Sequence, residues 1–157
     1  MVKSIKLNEN KTLKLNNVIS CRMDMDEKSS YEQEINKMRI YIQLHGARPV
    51  GPLIQFTKVI LHDDGNTDVD IEFFLQSNRF IHNVEAEFKM DAIMKVKNCL
   101  YARYIGPEDK IKFAYDKLGV YAFENDIELD GSNYTIYVDR NEEDETMVAD
   151  VFMPIKE

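Results

Sequence analysis

The chain of 157 residues is long enough for one domain, or for two half-domains that share a core. Its formal net charge of −8 argues against direct nucleic-acid binding, because phosphate contacts need a cationic face. No window is long and apolar enough for a membrane span, and residues 1–6 lack the apolar core of a signal peptide. We therefore expect a cytoplasmic protein whose acidity serves solubility or, less commonly, a cationic ligand.

The first half of the chain begins with a strand and a helix. Apolar residues over 12–25 follow a strand-like pattern, and the polar stretch 24–30 ends in a serine that can cap a helix. Apolar residues then recur at helical spacing from Tyr31, and Gly46 is a suitable stop.

A hairpin completes this half. Residues 48–52 contain two prolines and are predicted to be a loop. Strands are predicted over 53–61 and 69–75, and the residues between them, 62–67, have the composition of a hairpin turn.

The second half repeats the order. After a connection at 77–91, a strand is predicted over 92–105, and Gly106–Asp109 has the proline and acids of a helix start. Gly119 inside this helix suggests close packing, and the helix is predicted to end at residues 125–126.

A second hairpin follows, with strands over 134–138 and 147–155. Its turn, residues 139–146, is strongly acidic. Such a turn is normally a solvated tip, and a binding site for a basic partner protein is the alternative.

The two halves match at an offset of about eighty residues, with 51–75 corresponding to 131–154. We predict an α+β fold of duplicated βαββ units in a pseudo-twofold arrangement, over 12–76 and 92–155, joined by 77–91. Antiparallel sheets would line a central cleft, with the helices packed behind them. A seam between matched halves is a natural place for a ligand.

Several stretches resemble the GyrI-like superfamily, the effector-binding domain of bacterial multidrug-responsive transcription activators. Gly51-Pro52 before an apolar strand resembles its first-half motif, and 67–73 resembles its paired strand ending in an acid. Residues 104–107 with the following helix, and the terminal strand at 149–155, resemble its second half. The resemblance covers most of 12–155.

The resemblance implies a stand-alone module that senses or sequesters a hydrophobic, in some relatives cationic, small molecule in the cleft between the halves. Aromatic walls and a carboxylate suit such a ligand. In drug-responsive members the pocket acid lies on the strand that here reads 134–137. The matching position is Thr135, whose side chain carries no charge. This departure weakens the case for a tightly held cation.

Glu72 and Asp150 could replace that acid, because they occupy matched positions in apolar strands. Period-two alternation places Glu72 on the same face as Phe74. The alternative is that both acids are solvated and paired with a lysine such as Lys58 or Lys95.

Tyrosines on the second-half strands could wall a pocket, although a packed core is their commoner place. Gln55 is the first-half counterpart of Thr135. The complete set of predicted ligand-site residues is Gln55, Glu72, Phe74, Tyr104, Thr135, Tyr137 and Asp150.

No metal, cofactor or catalytic set is predicted. His45, His62 and His82 are isolated, and the sequence at 62–68 lacks the terminal glutamate of a calcium loop. Cys21 and Cys99 have no metal-like spacing and are expected to be buried free thiols, with one disulfide as the alternative.

Two other functions remain open. A cleft filled by its own side chains would leave a scaffold for a protein partner, with 77–91 and the acidic turn as the contact region. A small hydrolase could instead use a cleft acid and a tyrosine, for which Glu72 and Tyr104 are the candidates.

Overall fold

The computed structural model describes residues 2–23 and 31–157. Its elements are β1 (Ser4–Met23), α1 (Tyr31–Leu44), β2 (Pro49–Leu61), β3 (Thr67–Ser77), β4 (Lys89–Pro107), a 3₁₀ turn (Glu108–Lys110), α2 (Lys112–Glu124), β5 (Ser132–Asn141) and β6 (Thr146–Pro154). These elements confirm the predicted α+β class. The polar connection predicted at 24–30 and its capping serine lie outside the described residues. Among these described residues, no helix has the length and apolar character needed to cross a membrane.

The chain divides into two compact units, a first unit of residues 14–95 and a second unit of residues 1–13 with 96–157. In the first unit, β3 lies between β1 and β2 and is antiparallel to both. In the second unit, β6 lies between β4 and β5 and is antiparallel to both. Each unit therefore contains a three-stranded sheet with the same strand order, and a helix connects its first strand to its second.

Alternation along the strands gives each sheet one face toward its helix and an opposite face, which we call the helix-free face. In the first unit, Ile19, Phe73 and Leu75 point toward α1 and pack with Met38 and Ile42 in one buried cluster. The apolar residues of α1 recur every three or four positions, and this spacing directs them onto the sheet.

The second unit has an equivalent core. Leu100, Tyr104 and Val151 point from the sheet toward α2 and pack against Ala114 and Leu118. The small side chain at 114 lets the helix approach the sheet closely, so large strand side chains fill the space between them.

Left-handed backbone positions recur at equivalent places in the two units. The pairs are Gly46 and Asp126 after the helices, Gly51 and Gly131 near the starts of β2 and β5, and Gly65 and Glu145 in the hairpins. Each pair is separated by about eighty residues. Glycine takes a positive φ at little cost and Asp tolerates it, so all of these residues except Glu145 are suited to the left-handed positions at the ends of the elements.

The prediction of a loop at 48–52 is wrong, because β2 begins at Pro49. The register between β2 and β3 shifts between Val50 and Ile54, and Gly51 and Pro52 lie in that irregularity. A bulge needs fewer ladder hydrogen bonds, which is why a strand accepts proline there.

The predicted helix start at Gly106–Asp109 is correct in part, because the 3₁₀ turn Glu108–Lys110 begins directly after Pro107 with both acids in its first turn, whereas the α-helix starts later. Pro107 is the last residue of β4 and pairs with Thr146, and the Glu108 amide donates to the Glu145 carbonyl at 3.0 Å. These contacts hold the chain in the sheet as far as Pro107, the 3₁₀ turn follows, and α2 begins at Lys112. The first strand is also longer than predicted, because β1 starts at Ser4 and not at residue 12.

Both cysteines are free and buried, as predicted. Burial raises the pKa of the Cys99 thiol to about 11, with a smaller contribution from the charge of Asp130. The pKa of Cys21 is also raised, mainly by burial. The thiolate is the reactive form, so neither residue is suited to nucleophilic chemistry at neutral pH.

Gly119 does not mark close packing, because a Cβ atom added there would meet no atom within 4 Å. We therefore expect Gly119→Ala to raise the free energy of unfolding by about 1 kcal/mol, since alanine favours the helix. Gly51→Ala serves as the comparison. Because Gly51 has a positive φ, this substitution should lower the free energy of unfolding by about 1 kcal/mol. Urea denaturation measures both, and a loss of stability in Gly119→Ala would contradict the first expectation.

Candidate functional site

The helix-free face of the second-unit sheet carries a carboxylate, Asp150, in the central strand β6. In register it lies between Arg103 of β4 and Ile136 of β5. Directly opposed residues share a face, so all three point away from α2. The next residue, Val151, points the other way into the core.

Two side chains of β4 bind Asp150. Arg103 donates from Nε to Oδ1 at 2.8 Å and from Nη2 to Oδ2 at 2.9 Å. The Tyr101 hydroxyl donates to Oδ1 at 2.8 Å. The Asp150 side chain is only 13% exposed, whereas that of Arg103 is 45% exposed. A bidentate arginine therefore balances the charge of a largely buried carboxylate.

Aromatic rings adjoin this ion pair. The rings of Tyr101 and Phe152 have centroids 4.9 Å apart, and Lys11 Nζ lies 5.6 Å from the Tyr101 ring centroid. Burial, followed by the hydrogen bond and charge of Asp150, raises the pKa of Tyr101 to about 12. The phenol thus remains a donor at neutral pH. We call Tyr101, Arg103, Asp150 and Phe152 the Asp150 cluster.

The partner of Asp150 differs from the lysines that the sequence suggested. Arg103 lies directly across from it, whereas Lys58 lies across from Asp70 within the first unit. Strand register decides which basic residue faces an acid, and hydrophobic alternation alone does not fix register to the residue. Tyr101 is one of the second-half tyrosines that the sequence offers as pocket walls, but the predicted set of site residues omits it and its contact with Asp150 was not predicted; the signal available was its period-two spacing from Arg103.

Three predicted site residues of the second unit lie on the side of the sheet that faces α2. Tyr104 and Tyr137 both lie across from Ala149, and Thr135 lies across from Val151. The Tyr104 side chain is buried, and its hydroxyl donates to the Pro107 carbonyl at 2.5 Å. These residues are therefore on the opposite face from Asp150.

Thr135 is engaged by the helix. Its hydroxyl shares a 2.6 Å hydrogen bond with the hydroxyl of Tyr115 on α2 and lies 3.2 Å from Asn133 Oδ1. The residue is 1% exposed. Burial, together with the neighbouring Tyr115, raises the pKa of Tyr137. This region of the second unit is a packed polar seam between sheet and helix.

In the first unit, Glu72 and Phe74 share the helix-free face of β3, as alternation predicted. Glu72 lies across from Phe56, and the rings of Phe56 and Phe74 are nearly parallel with centroids 6.1 Å apart. Arg22, which lies across from Glu72 on β1, forms an ion pair with Asp70. Gln55 lies across from Phe73, and that pairing places it on the helix side.

Metal binding finds no support in the described residues, which contain no group of three or more histidine, cysteine or acidic side chains that could hold an ion. The segment at 62–67 forms a tight turn between β2 and β3, with the His62 amide bonded to the Asn66 carbonyl. His62 Nε2 lies 2.6 Å from Asp68 Oδ2, so this histidine pairs with an acid across the turn.

Three solved structures, two of them of the same protein, match the chain over almost its whole length. The C-terminal domain of EcmrR covers 98% of both chains at 20% identity, with a TM-score of 0.65. EcmrR in its DNA complex covers 98% of this chain at 21% identity and a TM-score of 0.63, and this chain spans 57% of that one. SAV2435 bound to tetraphenylphosphonium covers 98% of this chain and 94% of its own at 12% identity, with a TM-score of 0.52.

A hydrolase encoded by lin2189 from Listeria innocua covers 97% of this chain and 91% of its own, at 11% identity and a TM-score of 0.59. No protein-family model and no curated protein matches the sequence. All of these structures are less than 25% identical to the chain, and the likenesses show that it shares their fold.

The Asp150 cluster should contribute measurably to stability. We expect Asp150→Ala to lower the free energy of unfolding by about 2 kcal/mol, because it removes charge-assisted hydrogen bonds and leaves Arg103 without its partner. Asp150→Asn keeps the shape and an acceptor for Tyr101, so a smaller loss is expected. Equal stability of the wild type and Asp150→Ala in urea denaturation would contradict this role.

The raised pKa of Tyr101 predicts a loss of stability in alkali. A folded-state pKa of about 12, above the ordinary value of 10, stabilises the fold below pH 10, and that contribution disappears as the pH rises toward 12. Tyr101→Phe should lose less stability than the wild type over this interval. Urea denaturation at pH values below 10 and near 12 compares the two, and parallel curves would contradict the assignment.

Proposed function

We propose that this chain is a small-molecule-binding module that senses or sequesters a hydrophobic ligand on the helix-free faces of its sheets. The shared fold and the sequence resemblance to the GyrI-like superfamily support this, since SAV2435 has the same fold and its structure contains tetraphenylphosphonium. The arrangement of side chains supports it further. Each unit places aromatic rings and an acid on the face that its own helix leaves uncovered.

The observation that carries the proposal is the internal pairing of Asp150. A buried carboxylate without a partner attracts a cation strongly, because the low local dielectric magnifies its charge. Here Arg103 already supplies that positive charge through two hydrogen bonds. The cluster therefore offers aromatic surface and polar contacts without an excess negative charge. We infer that neutral or anionic aromatic compounds are preferred over cations.

The predicted site residues take different roles in this proposal. Glu72, Phe74 and Asp150 lie on helix-free faces and are proposed ligand contacts. The residues on the helix sides are proposed to hold the strands in position rather than to contact ligand; these are Gln55, Tyr104, Thr135 and Tyr137. The Thr135 hydroxyl in particular is hydrogen-bonded to the hydroxyl of Tyr115.

A hydrolase remains the weaker proposal. Its tyrosine, Tyr104, is buried and donates to a backbone carbonyl, an arrangement that leaves the hydroxyl poorly placed for proton transfer to a substrate. The likeness to the Listeria hydrolase is at 11% identity and concerns the fold. Binding without turnover fits the described side chains better.

Two ions of the same shape and opposite charge test the proposed preference. Calorimetric titration with tetraphenylborate and with tetraphenylphosphonium should give tighter binding of the borate to the wild type. Arg103→Met keeps much of the apolar stem and removes the positive charge, so the order should reverse, with a shift of about tenfold or more in the ratio of the two Kd values. Asp150→Asn should strengthen borate binding.

Arg140→Met is the matched control, because Arg140 is exposed, pairs with Glu108 and carries the same charge. It should leave the ratio of the two Kd values unchanged. A wild type that prefers the phosphonium, or an Arg103→Met variant with the wild-type ratio, would overturn the assignment of charge preference to this pair. Failure to bind either ion, with the fold intact by circular dichroism, would count against small-molecule binding at this face.

A further inference from the structure

Helix α2 carries apolar residues on its exposed side as well as on its buried side. Phe113, Val120 and Phe123 are 44%, 55% and 85% exposed, although the opposite side of the helix already packs against its sheet. A helix on a protein surface ordinarily places polar residues there. An exposed apolar stripe of this kind is typical of an interaction surface.

The stripe borders a groove within the second unit. The N-terminal part of β1 forms one wall with Ile5 and Leu7, and α2 forms the other with Phe113, Val120 and Tyr121. The volume is about 950 Å³. Lys117 Nζ donates to the Ile5 carbonyl at 2.8 Å and ties the two walls together. The groove is therefore a fixed feature of strand and helix.

The groove is elongated along α2. A neighbouring depression is also lined by Val120 and Glu124, and a third continues from Phe123 to Ile127. Phe113 and Phe123 are separated by about 15 Å along the helix axis, at the rise of an α-helix. A concave surface of this length suits a segment of polypeptide better than a compact ligand.

The rim of the groove is acidic. Glu9, Asp116 and Glu124 line it, with Lys117 as the cation among these lining residues. Asp126 and Glu128 extend the negative charge along the third depression. An occupant that places lysine or arginine beside an apolar stripe would complement both the apolar residues and the rim.

We propose that this surface, the α2 groove, docks an amphipathic helix of a partner protein. Its apolar stripe would pack on Val120 and Phe123, and its basic side chains would pair with Asp116 and Glu124. A second copy of this chain fits less well, because its net charge is −8 and a symmetric contact would oppose acidic rims. The role is separate from ligand binding and supplies a route from a ligand sensor to a second protein.

A synthetic helical peptide of about 14 residues provides the probe, with leucines along one face and lysines beside them. Its glutamate counterpart has the same leucines. Fluorescence anisotropy with the full chain should detect binding of the lysine peptide, and the glutamate peptide should bind at least tenfold more weakly. The double variant Val120→Ser with Phe123→Ser should raise the Kd of the lysine peptide by about tenfold or more. Both positions are exposed, so the fold should tolerate the change.

Charge reversal has a matched control. Asp116→Lys with Glu124→Lys should abolish most binding, whereas Glu142→Lys with Glu143→Lys makes the same change in net charge at an exposed turn and should not. If both double variants lost peptide binding equally, the effect would come from net charge and not from these two acids, and the proposal would be overturned. So would unchanged binding after Val120→Ser with Phe123→Ser, or no binding of the lysine peptide.

Two other occupants would also overturn it. A wild type that dimerises in sedimentation equilibrium and becomes monomeric in Val120→Lys would identify a second copy as the occupant. Tetraphenylborate or tetraphenylphosphonium protecting α2 from hydrogen exchange, with protection lost in that variant, would identify a small molecule. Neither measurement uses the Arg103 or Asp150 variants. If peptide docking at the α2 groove fails, the titrations with the two ions still test the proposed ligand binding separately.

Discussion

The structure depends on the period-two alternation of its central strands, because each of those strands must serve two faces at once. In β3, Phe73 and Leu75 enter the core with α1, while Phe74 points the opposite way and is also buried. In β6, Ala149 and Val151 face α2, while Asp150 and Phe152 lie on the helix-free face. A one-residue slip in register would exchange these sets, so the packing of the cores keeps the same residues on the helix-free face.

This constraint explains why an acid can sit in an otherwise apolar strand. Asp150 would be costly if its charge were buried alone. The register of β4 against β6 places Arg103 directly across from it and brings Tyr101 within hydrogen-bond distance. The carboxylate therefore remains charged, and Arg103 neutralises it without an external cation. The same pairing that makes the acid tolerable sets the charge preference proposed for a ligand.

The two binding surfaces proposed for the second unit differ in their chemistry. The helix-free face has polar groups that already satisfy one another, which suits a compact aromatic ligand. The outer side of α2 has apolar residues beside a rim in which acids outnumber the single lysine among the lining residues, and that combination suits a basic helix. The buried hydrogen bond between Thr135 and Tyr115 connects the sheet to the helix that carries the outer surface.

Much of the architecture followed from sequence by itself. Apolar periodicity and turn composition located both helices, the two hairpins and the equal order of elements. The offset of about eighty residues that aligned Gly51 with Gly131 is also the separation between their left-handed positions, which the sequence did not predict. These features are local, since turn residues and periodic patterns act on the backbone over a few positions. Tertiary structure alone decided the rest. Proline at 49 and at 107 could remain in strands because neighbouring strands held the chain there, and Arg103 became the partner of Asp150 because of register. The physical reason is that register and facing depend on which residues of distant strands pair, and the sequence near any one residue does not specify its cross-strand neighbour.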